Sequence, residues 1–240
     1  MAKGSYITKL PAIIPSCVLW LDANDPSGNN TQPADSSLIA TWVDKSGKGN
    51  SVIQGTTSVQ PSFKLNVQGE KPAIRFDGGD SLVKTPFPDI SQFTAFCVGK
   101  VDNNQQSFYE ISTGVTINTG TLLFADSNTM LSRYVEGPGA TKLKSVTTSI
   151  TLPTSYNIWE SFYDGTNITL LKNGGSSVST AASTNSNVLD RLTVGSLAGG
   201  AFPLRLVGDI CELLIYSTSL SADQKTTVRR YLSNKWGIAA

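Results

Sequence analysis

The sequence predicts an all-β protein: two antiparallel sheets packed face to face, with one short C-terminal helix. Three observations carry this. Short runs rich in Val, Ile, Leu, Phe and Tyr recur along the chain, each of strand length and each bounded by Gly, Asn, Asp or Ser. No helix-period segments alternate with them, which argues against a parallel α/β sheet. A single helix signature stands at the end: Ser221 and Gln224 form an S-x-x-Q capping box, Val228, Tyr231 and Leu232 follow at helical spacing, and Gly237 can supply a left-handed C-cap. The helix is expected over Ala222 to Lys235.

In chain order, residues 1–15 read as an extended arm, because Gly4, Pro11 and Pro15 oppose regular structure around a Tyr6-Ile7 patch. Residues 16–240 then form one domain, an ordinary length for an all-β fold. Strands are expected at Val18 to Leu21, Ile39 to Val43, Ala73 to Phe76, Phe93 to Val98, Phe108 to Ile111, Thr121 to Ala125 and Leu131 to Val135. Further strands are expected at Lys142 to Ile150, Ile158 to Tyr163, Ile168 to Lys172, Leu192 to Val194 and Leu204 to Tyr216. Asp77-Gly78, Asp164-Gly165 and Asn173-Gly174 mark turns that need positive φ. Two polar stretches, Asn24 to Ser37 and Ser176 to Asn187, read as surface loops, with adaptable recognition as their functional alternative.

Several blocks carry a resemblance in order: Leu19-Trp20-Leu21-Asp22-Ala23, Trp42 to Asn50, Pro72 to Leu82, Tyr163-Asp164-Gly165-Thr166-Asn167-Ile168, Leu192 to Ser196, Gly208 to Ser221, and Tyr231-Leu232-Ser233-Asn234-Lys235-Trp236-Gly237. Together they span roughly Cys17 to Ile238. The chain thereby resembles laminin-G-like, concanavalin A-like lectin/glucanase jelly-roll domains, of the type found in phage and large-virus virion proteins. The resemblance implies a β-sandwich and a surface-exposed binding or adhesion module, in the first place for carbohydrate. The implied partners are a cell-surface glycan or glycoprotein and, through the arm, a capsid or tail protein, with many copies per particle. A capsid decoration or fibre protein is the structural alternative.

Composition excludes other classes. A formal net charge of +1 with scattered Lys and Arg gives no footprint for nucleic acid or an anionic membrane. No apolar run reaches membrane-spanning length, and Leu10 to Leu21 is broken by Pro11, Pro15 and Ser16, so no secretory leader is read. The location that the resemblance implies is a virion surface, after synthesis in a host cytoplasm. Without a single histidine, Ser-His-Asp and Cys-His catalysis are ruled out, and zinc loses its commonest ligand. Gly47-Lys48-Gly49-Asn50 lacks phosphate-loop spacing and reads as a turn.

A retaining glycosidase needs two carboxyl groups about 5–5.5 Å apart. The related glucanases place them on one strand as Glu-x-Asp-x-Glu, and no such motif occurs here. Asp209 and Glu212, three apart, are expected on opposite faces of a strand, with Asp209 in a Gly-Asp turn; Asp22 and Glu110 would have to meet from different strands. No catalytic residue is assigned. Calcium is weighed because laminin-G-like domains can bind it, and Asp22, Asn24 and Asp25 or Asp77 and Asp80 are the candidate clusters. Neither has alternating acidic spacing, so no metal residue is assigned and no cofactor is expected. Asp44 and Asp77 read as turn residues accepting backbone N–H groups. Cys17, Cys97 and Cys211 read as buried free thiols. Trp20, Trp42, Trp159 and Trp236 read as core, leaving Tyr109, Tyr134 and Tyr156 as the candidate exposed aromatics.

Overall fold

Two eight-stranded antiparallel sheets hold the predicted strands. The computed structural model describes residues 10–113, 120–135, 143–150, 155–183, 188–197 and 204–240. The Tyr6-Ile7 patch and the end of the Ser176 to Asn187 loop lie outside these. In sheet I the order is β14 (Val178–Ala181), β13 (Asn167–Lys172), β12 (Asn157–Tyr163), β7 (Phe93–Val101), β16 (Val207–Tyr216), β5 (Lys71–Asp77) and β4 (Ser62–Gln68), with β1 (Cys17–Asp22) also paired to β16. Sheet II runs β11 (Leu143–Ser149), β10 (Thr129–Val135), β9 (Thr121–Asp126), β8 (Gln106–Ser112), β15 (Arg191–Val194), β6 (Leu82–Lys84), β3 (Val52–Ile53) and β2 (Thr41–Trp42).

The sheets enclose one core. Trp42, Phe63, Phe76, Phe93, Phe108 and Trp159 are buried in it, each side chain contributing about 1.5–3 kcal/mol by leaving water. Four strands were not legible in sequence: β3, β4, β6 and β14. In β4 only Phe63 is buried, so apolar alternation is faint. Within the loop expected at Ser176 to Asn187, β14 is an edge strand that, among the described residues, pairs with β13 alone and buries little.

A third layer covers the outer face of sheet I. The helix α2 (Ala222–Trp236) starts as predicted, with Gln224 N–H donating to Ser221 Oγ and Ser221 N–H donating to Gln224 Oε1. It ends on Gly237 at φ 66°, a conformation that favours glycine. Val228, Leu232 and Trp236 pack on Trp20, Phe96, Ile158, Leu214 and Tyr216. The arm is not wholly extended. Leu10–Ile13 forms one helical turn, α1, in which Pro11 sits early enough that its missing N–H costs nothing, and Ala12 and Ile14 pack against the same outer layer.

The long strand β16 shapes everything near this layer. On one side it pairs with β7 throughout; on the other it pairs with β5 as far as Ile210 and with β1 from Glu212 onward. Where the partner changes, the ladder to β7 slips by one residue, Ile210 opposing Gly99 and Glu212 opposing Val98. This bulge leaves Cys211 and Glu212 both in the outer layer and inverts the side-chain parity of the strand. Gly99 permits the approach, since a Cβ there would lie 2.4 Å from the Asp209 carbonyl oxygen.

Candidate functional site

The parity inversion brings together residues that sequence spacing separates. Asp209 and Glu212 both lie on the outer side of β16, rather than on opposite faces. Asp209 is in the strand and fully buried, not in a turn: Arg75 holds it through two bonds of 2.8 Å, and the Tyr156 hydroxyl donates to it. Glu212 meets a different partner. In the β1–β16 ladder it stands directly opposite Asp22, a carboxylate pair that the sequence reading did not find. Asp22 and Glu110, by contrast, lie on different sheets.

Glu212 is the hub of a buried polar cluster. Trp20 Nε1 and the Tyr231 hydroxyl donate to Oε1 at 2.7 and 2.8 Å, while Trp236 Nε1 and Lys235 Nζ lie 2.7 and 2.8 Å from Oε2. Indole and ammonium groups can only donate, and Tyr231 accepts from Lys235 at 3.1 Å, so the donor set is that of an ionised carboxylate. Burial pushes the Glu212 carboxyl up from its ordinary range, and the Lys235 charge opposes this. Burial would lower Lys235, but Glu212 and Asp22 outweigh it and keep the ammonium charged.

The chain of charge continues outward. Lys235 reaches Asp22 Oδ1 at 2.8 Å, Lys45 bridges Asp22 at 3.3 Å and Asp25 at 2.9 Å, and backbone N–H groups of Asn24 and Asn30 fix the two aspartates at 2.9 Å each. Above this floor opens a cleft of about 840 Å³, bounded by α1, α2 and the loops at 24–32 and 45–47. That volume lies within the range of about 300–1,000 Å³ usual for ligand pockets. Its rim carries the exposed amides of Asn24, Asn30 and Gln32, with Gln32 Nε2 donating to Asn24 Oδ1 at 3.0 Å. The polar loop Asn24 to Ser37 thus lines a cavity instead of merely filling surface, and Ala12 of the arm joins it.

The other candidates fall elsewhere. Asp44 is a turn residue as expected, its carboxylate accepting from the N–H groups of Trp20, Ser46 and Asn50. Asp77 accepts from Gly79 N–H, and burial lifts its neighbour Asp80 to about 6. Tyr109 and Tyr134 are not exposed. Both point into the core, where Tyr134 stacks on Tyr163 with ring centres 4.3 Å apart. Tyr156 is half-buried over Asp209. All four tryptophans are buried, and Lys45 lies over the Trp20 ring, so Trp20 is the floor of the cleft and not a stacking platform. Cys17, Cys97 and Cys211 are buried free thiols; burial pushes Cys17 up to about 12.

No family model matches the sequence, and no curated protein matches it. Solved structures do share the fold. The binding domain of botulinum neurotoxin serotype D superposes with a TM-score of 0.64 at 12% identity, covering 96% of this chain and 56% of that one. The binding domain of botulinum neurotoxin DC in complex with SialylT gives 0.61 at 15% identity, over 90% and 52%. The same domain in complex with rat synaptotagmin II gives 0.62 at 14%, over 91% and 52%. The chain spans a little over half the length of these structures, and at such identities the likeness establishes the β-sandwich fold.

Proposed function

We propose that this chain is a non-enzymatic binding module that takes carbohydrate or a glycoprotein in the cleft above Glu212. One observation carries the reading. Every carboxylate oxygen of Asp22, Asp25 and Glu212 already accepts a hydrogen bond or ion pair from the protein. A glycosidase needs one carboxyl free to protonate the leaving oxygen and one free to attack or to activate water. Here neither is free, while the rim amides remain open to solvent. The fold likeness to binding domains, one of them in complex with SialylT and one with a receptor protein, supports the same direction.

No cofactor enters this reading: Lys45 and Lys235 supply the positive charge between the carboxylates that a calcium ion would otherwise provide. The setting we favour is the surface of a virus or phage particle, with many copies attached through residues 1–15; its support is the sequence resemblance. Weak single-site binding would then gain by avidity. A glycan array probed with the multimerised chain tests the function. Binding should fall at least tenfold in Asn24→Ala/Gln32→Ala with an unchanged melting temperature. Signal indifferent to that variant, or no signal, would reject the cleft as the site.

A further inference from the structure

We infer that the cleft selects neutral oligosaccharides over acidic ones, an inference that rests on the binding reading above and specifies its ligand. The warrant is the disposition of charge. Three carboxylates, Asp22, Asp25 and Glu212, are matched in number by three ammonium groups, Lys45, Lys235 and Lys71. The two deep lysines are each shared between two carboxylates: Lys235 between Asp22 and Glu212 at 2.8 Å each, and Lys45 between Asp22 and Asp25 at 3.3 and 2.9 Å.

Neither lysine presents an uncompensated charge to an incoming ligand. A carboxylate, sulfate or phosphate reaching for Lys45 meets Asp22 and Asp25 on the same ammonium, and separating that pair would strand two nearly buried carboxylates. A cationic ligand meets the converse obstacle. Among the described residues that line the cleft, Lys71 is the remaining cation; it stands half-buried at the rim with the Gly69 carbonyl 3.5 Å away, where solvent screening leaves a single charge worth little.

What the cleft offers freely is uncharged. The amides of Asn24, Asn30 and Gln32 each combine donor and acceptor capacity, which suits hydroxyl groups that also do both, whereas the Ser46 hydroxyl is committed, donating to Asp44 at 2.8 Å and accepting from Lys48 N–H at 3.2 Å. Because the carboxylates are fixed by backbone N–H groups and lysines, this polar rim sits on a floor that need not rearrange on binding, which limits the ordering cost.

The test uses the full chain on an array holding neutral oligosaccharides of hexoses and N-acetylhexosamines beside sialylated, uronic and sulfated ones. Neutral hits should dominate, weaken at least tenfold in Asn24→Ala/Gln32→Ala, and keep their affinity within twofold from about 0.01 M to about 1 M ionic strength, over which the screening length falls from ~30 to ~3 Å. Asp25→Asn removes one of the carboxylates sharing Lys45 and should raise binding of acidic glycans at least threefold. Hits confined to acidic glycans, salt-sensitive and lost in the rim variant, would overturn the neutral selection while leaving the binding function standing. Absence of any glycan hit, or hits indifferent to the rim variant, would overturn both.

Discussion

Glu212 beneath the C-terminal end of α2 and Glu160 beneath its N-terminal half are both buried on the outer side of sheet I, yet their surroundings differ. Glu212 has both oxygens saturated by two indoles, a tyrosine and a lysine. Glu160 has one firm partner, Arg229 Nε at 3.0 Å to Oε2, and Oε1 receives no hydrogen bond among the described residues. Burial pushes the Glu160 carboxyl up, with Arg229 opposing. The C-terminal end of the helix is therefore the one built for rigidity. Saturation fixes Asp22, Lys235 and Lys45 in line behind the cleft, whereas Glu160 can relieve its position by taking up a proton.

Removing the counter-charge should separate the two ends most. Lys235→Met leaves Asp22 and Glu212 facing each other and should cost about 3–5 kcal/mol in urea unfolding. Arg229→Met should cost about 1–2 kcal/mol, because protonation of Glu160 absorbs part of the loss. Equal costs would break the comparison. A subtler probe is the isosteric pair. Glu212→Gln turns an amide NH₂ toward two donors and should cost about 2–3 kcal/mol, whereas Glu160→Gln should stay within about 1 kcal/mol at neutral pH.

Asp80 gives a third buried carboxylate whose titration sharpens the contrast. Its folded value, about 6, lies above its ordinary 3.8, so the folded state holds the proton more tightly. Its contribution to stability is therefore present below the unfolded value and lost as pH rises through about 6. Asp80→Asn should flatten the melting-temperature profile between pH 4 and 6 and raise stability at pH 7 by about 1–2 kcal/mol. A profile unchanged by this substitution would reject the shift. The smallest effects concern thiols and metal: a disulfide-exchange reagent should label Cys17, Cys97 and Cys211 only after unfolding, and EDTA should leave the melting temperature unchanged. A fall with EDTA would return calcium to Asp22 and Asp25 or to Asp77 and Asp80.

How far the sequence reveals this arrangement depends on the range of the interaction involved. The helix was legible to its caps because Ser221, Gln224 and Gly237 act within one turn, and Asp44 was legible because an Asx turn spans only a few residues. The carboxylate pair was not. Asp22 and Glu212 are brought opposite each other by strand pairing across almost the whole chain, and the Cys211 bulge that sets their face has no compositional mark. Lys45 and Lys235 passed as part of a scattered distribution of Lys and Arg for the same reason. Tyr109 and Tyr134 were misjudged from neighbouring loops, although their faces are decided by strand parity.

Whether the cleft binds without cutting, as proposed, is decided by incubating the chain with the bound oligosaccharide and weighing the products by mass spectrometry. A binding module should show saturable binding, a ligand recovered at its original length after prolonged incubation, and loss of binding in Asn24→Ala/Gln32→Ala. Steady release of shorter saccharides, abolished by Asp22→Asn or Glu212→Gln in variants that remain folded, would contradict it.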